Sequence, residues 1–169
     1  MSTHRISRRA ALAIVSGGAA FAIITRTAAP KFHARTLDGE KYTNQTLLGR
    51  PALIQFWTTW CPVCRRDQDT VETLVEEYGK KRLVVLAVDV GESRKKVTEY
   101  LRSSPRSCKI VLNEDTNLPA LFAARVYPFY VVIDAEGMIV GEQRGAGEGP
   151  LRGLLRKAGL GEDEPPVRE

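Results

Sequence analysis

Phe56-Trp57-Thr58-Thr59-Trp60-Cys61-Pro62-Val63-Cys64-Arg65 places two cysteines two residues apart, where the chain changes its hydrophobic period. Before it, Pro51-Ala52-Leu53-Ile54-Gln55-Phe56-Trp57 is a nearly continuous apolar run, the pattern of a strand buried on both faces. After it, Val71, Leu74, Val75 and Tyr78 recur at spacings of three and four, which predicts a helix from Pro62 to Tyr78 stopped by Gly79. The pair therefore sits at a strand–helix junction, and its spacing allows a small disulfide ring. Cys61 is expected at the helix N-terminus, where free backbone N–H groups and the helix dipole favour a thiolate. Pro62 suits the first helical position, because its φ is preset and it has no N–H to leave unpaired. Arg65 and Arg66 add positive charge one turn on. The thiolate is the attacking species, so Cys61 is the expected nucleophile. Cys64, one turn into the helix, is expected to be more buried and to resolve the mixed disulfide.

Outward from this motif the elements alternate. Lys31 to Thr36 and Lys41 to Thr43 flank Leu37-Asp38-Gly39-Glu40, a hairpin signal, and Asn44 is the expected cap of a short helical turn ending at Gly49. Leu83 to Val90 reads as a second buried strand. Glu92 to Leu101 reads as a charged helix with Val97, Tyr100 and Leu101 on one face. A strand at Cys108–Leu112 and a short helix at Leu118–Ala124 follow. Phe129 to Asp134 and Met138 to Glu142 form a hairpin around Ala135-Glu136-Gly137, and a last helix spans Leu151 to Ala158. The fold class is α/β, a mixed central sheet with helices on both faces and an N-terminal hairpin extension. In such sheets reactive groups collect at the carboxyl ends of strands, which is where Cys61 lies.

The ends of the chain differ from its middle. Of a net charge of +5 in 169 residues, +4 comes from Arg5, Arg8, Arg9 and Arg26 in residues 1–29, which hold no acid. The remainder is near neutral, unlike a nucleic-acid reader, whose basic residues cluster on the folded domain. Ser7-Arg8-Arg9 with Leu12 is similar to a twin-arginine export signal, although Ala11 stands where an aromatic is usual. The uncharged run of residues 10–25 would span about 24 Å as a helix, short of the roughly 30 Å hydrocarbon core. Residues 1–29 are thus a signal peptide or, if uncleaved, an N-terminal membrane tether. The domain is expected over residues 30–160, and residues 161–169 read as a disordered tail. Export implies a periplasmic or extracytoplasmic protein, anchored to the inner membrane if the leader stays. Disulfides persist there.

The motif residues resemble the active-site segment of exported thioredoxin-like proteins of the TlpA/ResA/CcmG group. Two further markers carry the resemblance, Val126-Tyr127-Pro128 before the strand at Phe129, and Ile133-Asp134-Ala135-Glu136-Gly137. The resemblance covers Phe32 to Ala158 and implies a thioredoxin-like fold and a protein-disulfide oxidoreductase. It implies that Pro128 follows a cis bond and faces the dithiol, a geometry almost confined to proline. Trp57 and Trp60 would frame the pair, and Trp60, Pro62 and Tyr127 would shape the substrate surface. The group often has Glu three residues after the second cysteine. Here Asp67 stands there, as a proton acceptor or as an ordinary first-turn acid. Thioredoxin has a buried Asp six residues before the first cysteine. Here Gln55 cannot titrate, so that relay is absent. Implied partners are protein thiols and disulfides and a membrane electron donor or acceptor, with a monomeric chain and no cofactor beyond the Cys61–Cys64 disulfide. A role in maturing cytochrome c or other periplasmic proteins fits the group.

Other chemistries meet obstacles in the residues. A structural zinc site needs four ligands and would have to recruit Cys108 and His33 to the pair. Structural disulfides usually close longer loops. A thiol peroxidase is suggested by Thr58-x-x-Cys61, but Ile54 occupies the position of the proline in that motif. A copper(I) chaperone would use the two soft thiolates, without the wider spacing and histidine of Sco-type carriers. Cys108 is read as a small buried residue, with a third redox thiol as the alternative. His33 is read as structural.

Overall fold

The computed structural model describes residues 26–161, so the leader run of residues 10–25 and the tail after Gly161 lie outside the described residues. One sheet organises the chain, with strands β1 (Thr27–Ala28), β2 (His33–Thr36), β3 (Lys41–Thr43), β4 (Ala52–Trp57), β5 (Val84–Asp89), β6 (Lys109–Thr116), β7 (Phe129–Ile133) and β8 (Met138–Arg144). Their order across the sheet is β1-β8-β7-β4-β5-β6-β2-β3. β4, β5 and β6 run parallel, and β7 runs antiparallel to β4. The N-terminal hairpin forms at Asp38-Gly39, with His33 opposite Thr43, and β2 continues the sheet beyond β6.

β4 and β5 are buried at every position because helices cover both faces. Leu53, Trp57, Val85, Ala87, Tyr130 and Val132 face one side. There they meet α3 (Gln68–Arg82), α4 (Arg94–Ser103) and α6 (Glu148–Lys157) through Val71, Leu74, Val97, Leu151 and Leu155. Ile54, Phe56, Leu86, Val88 and Val131 face the other side, under Leu47 of α1 (Asn44–Leu47) and Leu118 of α5 (Leu118–Leu121). The period-two alternation of each strand thus feeds two separate cores. The mixed sheet with two covered faces is the thioredoxin-like arrangement.

Local details correct several boundaries. Thr43, not Asn44, caps α1 through a capping box with Thr46. Asn44 instead ties the chain entry, accepting from Phe32 N–H and donating to the Ala29 and Pro30 carbonyls. The helix after the cysteines is two pieces, α2 (Pro62–Arg66) and α3, meeting at Asp67. Gly79 does end its regular part, at φ 63°, ψ 161°. α4 starts at Arg94, because Ser93 supplies the cap. Glu92 is left outside the helix and free to serve the loop described below. The folded unit begins before the expected boundary at residue 30, since Thr27 and Ala28 pair with Ile139 and Met138, and Arg26 pairs with Asp134.

Candidate functional site

Cys61 and Cys64 are joined in a disulfide, with Cα atoms 5.3 Å apart. Cys61 is the N-cap of α2, and its sulfur accepts from the Cys64 N–H at 3.1 Å. Pro62 follows at the first helical position, as its fixed φ favours. The antiparallel register of Phe56 with Phe129 brings the segment before β7 alongside the end of β4. That segment carries the cis Tyr127–Pro128 bond, and the Tyr127 carbonyl oxygen lies 3.6 Å from Cys61 Sγ. This contact covers Cys61, so the two cysteines are equally buried, each 4% exposed, and the expected difference between them is absent.

The two tryptophans part company. Trp57 is core, 2% exposed and packed against Tyr100, whereas Trp60 is 57% exposed and meets Tyr127 edge-on at 6.2 Å. Trp60, Val126 and Pro62 are exposed around the pair. Cys108 is buried and free, and burial pushes its thiol pKa up. Among the described residues no three His, Cys, Asp or Glu side chains come together, so Cys108 and the exposed His33 are not brought to the pair as a ligand set.

Two polar clusters flank the motif, and of their residues the sequence singled out only Asp67, Gln55 and Arg65. The first holds the loop before Cys61. Glu92 accepts from the Thr59 N–H at 2.5 Å and from the Thr59 hydroxyl at 2.7 Å, and Lys96 pairs with it at 2.6 Å. Its own N–H donates to Asp89 Oδ2 at 3.1 Å. Asp89 ends β5 beside Trp57 and is fully buried. Burial, then the neighbouring Glu92, pushes its pKa up. Burial alone would also raise Glu92, but Lys96 and the Thr59 donors hold it low. Arg65 folds back over the same loop, its Nε donating to the Thr59 carbonyl at 2.7 Å.

The second cluster lies between the sheet and the α2–α3 junction. Asp67 is 5% exposed and accepts a short hydrogen bond from the Tyr130 hydroxyl. Gln55 donates to that hydroxyl at 2.9 Å and accepts from Arg106 Nη2 at 2.6 Å. Burial, then the Asp67 carboxylate, raises the Tyr130 pKa, so the phenol stays protonated. Tyr130 was legible only through register, as the residue opposite Gln55 on β7.

A strand followed by a short loop to a helix-capping cysteine, a second cysteine one turn on, and a cis-proline loop against the first sulfur define a thioredoxin-like thiol–disulfide oxidoreductase. The chain belongs to the AhpC/TSA family, whose model matches residues 25–141. It is 32% identical over 114 residues to the thioredoxin-like protein YneN of Bacillus subtilis, an alignment spanning 66% of each chain. It is 26% identical over 133 residues to the thiol-disulfide oxidoreductase ResA of Bacillus cereus, covering 76% of this chain and 75% of that one. A thiol:disulfide interchange protein of the thioredoxin family from Chlorobium tepidum shares the fold, with a TM-score of 0.66 at 22% identity over 79% of this chain and 96% of that chain.

Proposed function

We propose that this protein acts outside the cytoplasm, exchanging disulfides with protein substrates through Cys61 and Cys64. The observation that carries the reading is the Cys61–Cys64 disulfide, with Cys61 capping α2 and facing the Tyr127–Pro128 loop. In the reduced enzyme, the Cys61 thiolate attacks a substrate disulfide, forms a mixed disulfide and expels the first substrate thiolate. Cys64 then gives up its proton, attacks Cys61 Sγ and releases the second substrate thiolate. The substrate gains two electrons and the enzyme pair loses two. The reverse sequence oxidises a substrate dithiol. The N–H that Cys64 aims at Cys61 Sγ favours negative charge there, which supports Cys61 as nucleophile. Asp67, three residues past Cys64 and nearly buried, is the proton acceptor for the resolving step. Exposed Trp60 and Pro62, with Tyr127 and the cis-proline Pro128, form the surface that receives the substrate chain.

The leader's arginines and the uncharged run of residues 10–25 support export or a tether to the inner membrane, where a membrane donor or acceptor would reset the pair. Maturation of cytochrome c or of another exported protein is the service this arrangement suits. A peroxidase would need Thr58 to attend Cys61, but the Thr58 hydroxyl is buried without a hydrogen-bond partner. Cys64→Ser should trap substrate proteins covalently through Cys61, as reducible adducts of raised mass. No adducts, together with no insulin reduction and no thiol oxidation by the wild type, would sink the reading. The reduction potential against glutathione assigns direction, since dithiol proteins of this kind span about 150 mV from thioredoxin to DsbA.

A further inference from the structure

Arg106 lies in the connection between α4 and β6, yet its side chain is only 1% exposed. Its guanidinium stacks 4.7 Å from the Trp57 ring centroid, inside the core that also holds both redox cysteines. Taking a guanidinium out of water costs several kcal/mol unless its partners are well placed. Arg106 Nε lies 3.9 Å from Glu72 Oε1, too far for a hydrogen bond, and both atoms lack a partner. The close contact is the 2.6 Å hydrogen bond from Nη2 to Gln55 Oε1.

That contact fixes a direction. A guanidinium has no acceptor, so Gln55 must present its oxygen to Arg106 and its NH2 to Tyr130. The Tyr130 oxygen is then occupied as an acceptor, and its single proton is committed to Asp67. Flipping the Gln55 amide would set its NH2 against the guanidinium, donor to donor. We propose that Arg106 is a positioning residue for the redox pair. By orienting Gln55 it polarises the row Arg106–Gln55–Tyr130–Asp67 and holds the Tyr130 proton on the Asp67 carboxylate, three residues past Cys64.

This rests on Asp67 being the proton acceptor of the resolving step. In that step the Cys64 proton passes to Asp67, the Cys64 thiolate bonds to Cys61 Sγ, and the substrate sulfur departs with the electron pair of the broken bond. The titratable and charged groups around the row are Cys64 and Asp67 of α2 and its junction, Glu72 of α3, Tyr130 of β7, Arg106, and Cys108 just before β6.

The test is stopped-flow reaction of the reduced protein with the aromatic disulfide DTNB from pH 5 to 9, in a Cys108→Ala background so that two thiols report. The first thiolate released marks Cys61 attack, and the second marks resolution by Cys64. Arg106→Met should move the acid limb of the second phase up by about one pH unit, roughly tenfold in rate on that limb, with the first phase within about twofold. Arg106→Lys should restore most of the rate. Gln55→Glu, nearly the same shape but unable to donate to Tyr130, should shift the limb the same way, and it decides the matter if Arg106→Met does not fold. If Asp67→Asn flattens the limb while Arg106→Met and Gln55→Glu leave it in place, the row has no such role and Asp67 keeps its own. If Asp67→Asn leaves the limb in place, the proton-acceptor reading falls and takes the row with it. Equal slowing of both phases by Arg106→Met would also overturn the proposal.

Discussion

Asp89→Asn replaces a carboxyl that the fold keeps protonated well above the usual carboxylate range. Asp89 is fully buried at the end of β5, with Oδ1 unpaired and Oδ2 accepting the Glu92 N–H. Burial first, and the Glu92 side chain next, push its pKa up to about 7. Its folded-state pKa is thus above the unfolded value of roughly 4, and the native chain holds a proton that the unfolded chain has released. The stability Asp89 contributes is full below about pH 4 and is lost as pH rises through about 7. Glu92 is held low by Lys96 and the Thr59 donors against the cost of its burial, so above pH 5 it is ionised in both states and adds no slope. Between pH 5 and 7 the difference is near one proton at first and falls to half a proton, worth about 2 kcal/mol at roughly 1.4 kcal/mol per proton per pH unit, and closer to 3 kcal/mol by pH 8. Asn mimics the protonated acid and does not titrate. Urea unfolding of the oxidised protein at pH 5, 6, 7 and 8 measures this directly. The wild type should lose about 3 kcal/mol more than the variant across that range. Stability curves that stay parallel within about 0.5 kcal/mol would mean that Asp89 is ionised in the fold, and the argument from burial would be wrong.

Two substitutions separate surface from core. Trp60→Ala should leave stability within about 0.5 kcal/mol, because the side chain is 57% exposed, while kcat/KM for a protein disulfide falls at least about tenfold and reduction by dithiothreitol is unchanged. Equal loss with both substrates would show that Trp60 acts on the cysteines rather than on the partner. Leu74→Ala, fully buried between α3 and the sheet, should cost about 2–5 kcal/mol by urea unfolding without altering the reduction potential measured at 25 °C. A shifted potential would mean that α3 transmits its packing to the pair.

The order of elements was legible because each strand has the alternation or continuous apolar run its position in the sheet demands. The run Ala52–Trp57 reads as buried because neighbours lie on both edges and both faces. The Cys61–Cys64 pair was legible from its spacing at the strand–helix junction, and the cis Tyr127–Pro128 bond from the resemblance that Val126-Tyr127-Pro128 carries. Boundaries went astray where two polar residues competed for one cap. Thr43 and Asn44 are both good cap formers, and the outcome turned on Asn44 being needed at Phe32, Ala29 and Pro30, more than ten residues away. The helix after Cys64 reads as continuous in periodicity because its break at Asp67 keeps αR backbone angles, φ −86°, ψ −2°.

The polar surroundings of the pair were legible only as an anomaly. Gln55, an amide in the middle of an apolar run, demands partners, since a buried amide left unpaired costs about 1–3 kcal/mol. Tyr130 could be inferred as one of them from strand register. Arg106 could not, because an arginine between Pro105 and Ser107 in a loop looks solvated until α4 is docked and β6 is placed beside β5. The parallel placement of β6 carries that loop back to the same helix-covered face, where Trp57 offers its ring and Gln55 its oxygen. An acid at position 55 would have paired with Arg106 directly and could not have donated to Tyr130. The amide passes the cation's influence on with its direction intact, and the choice of Gln at that position follows from having Arg106 on one side and the Tyr130–Asp67 pair on the other.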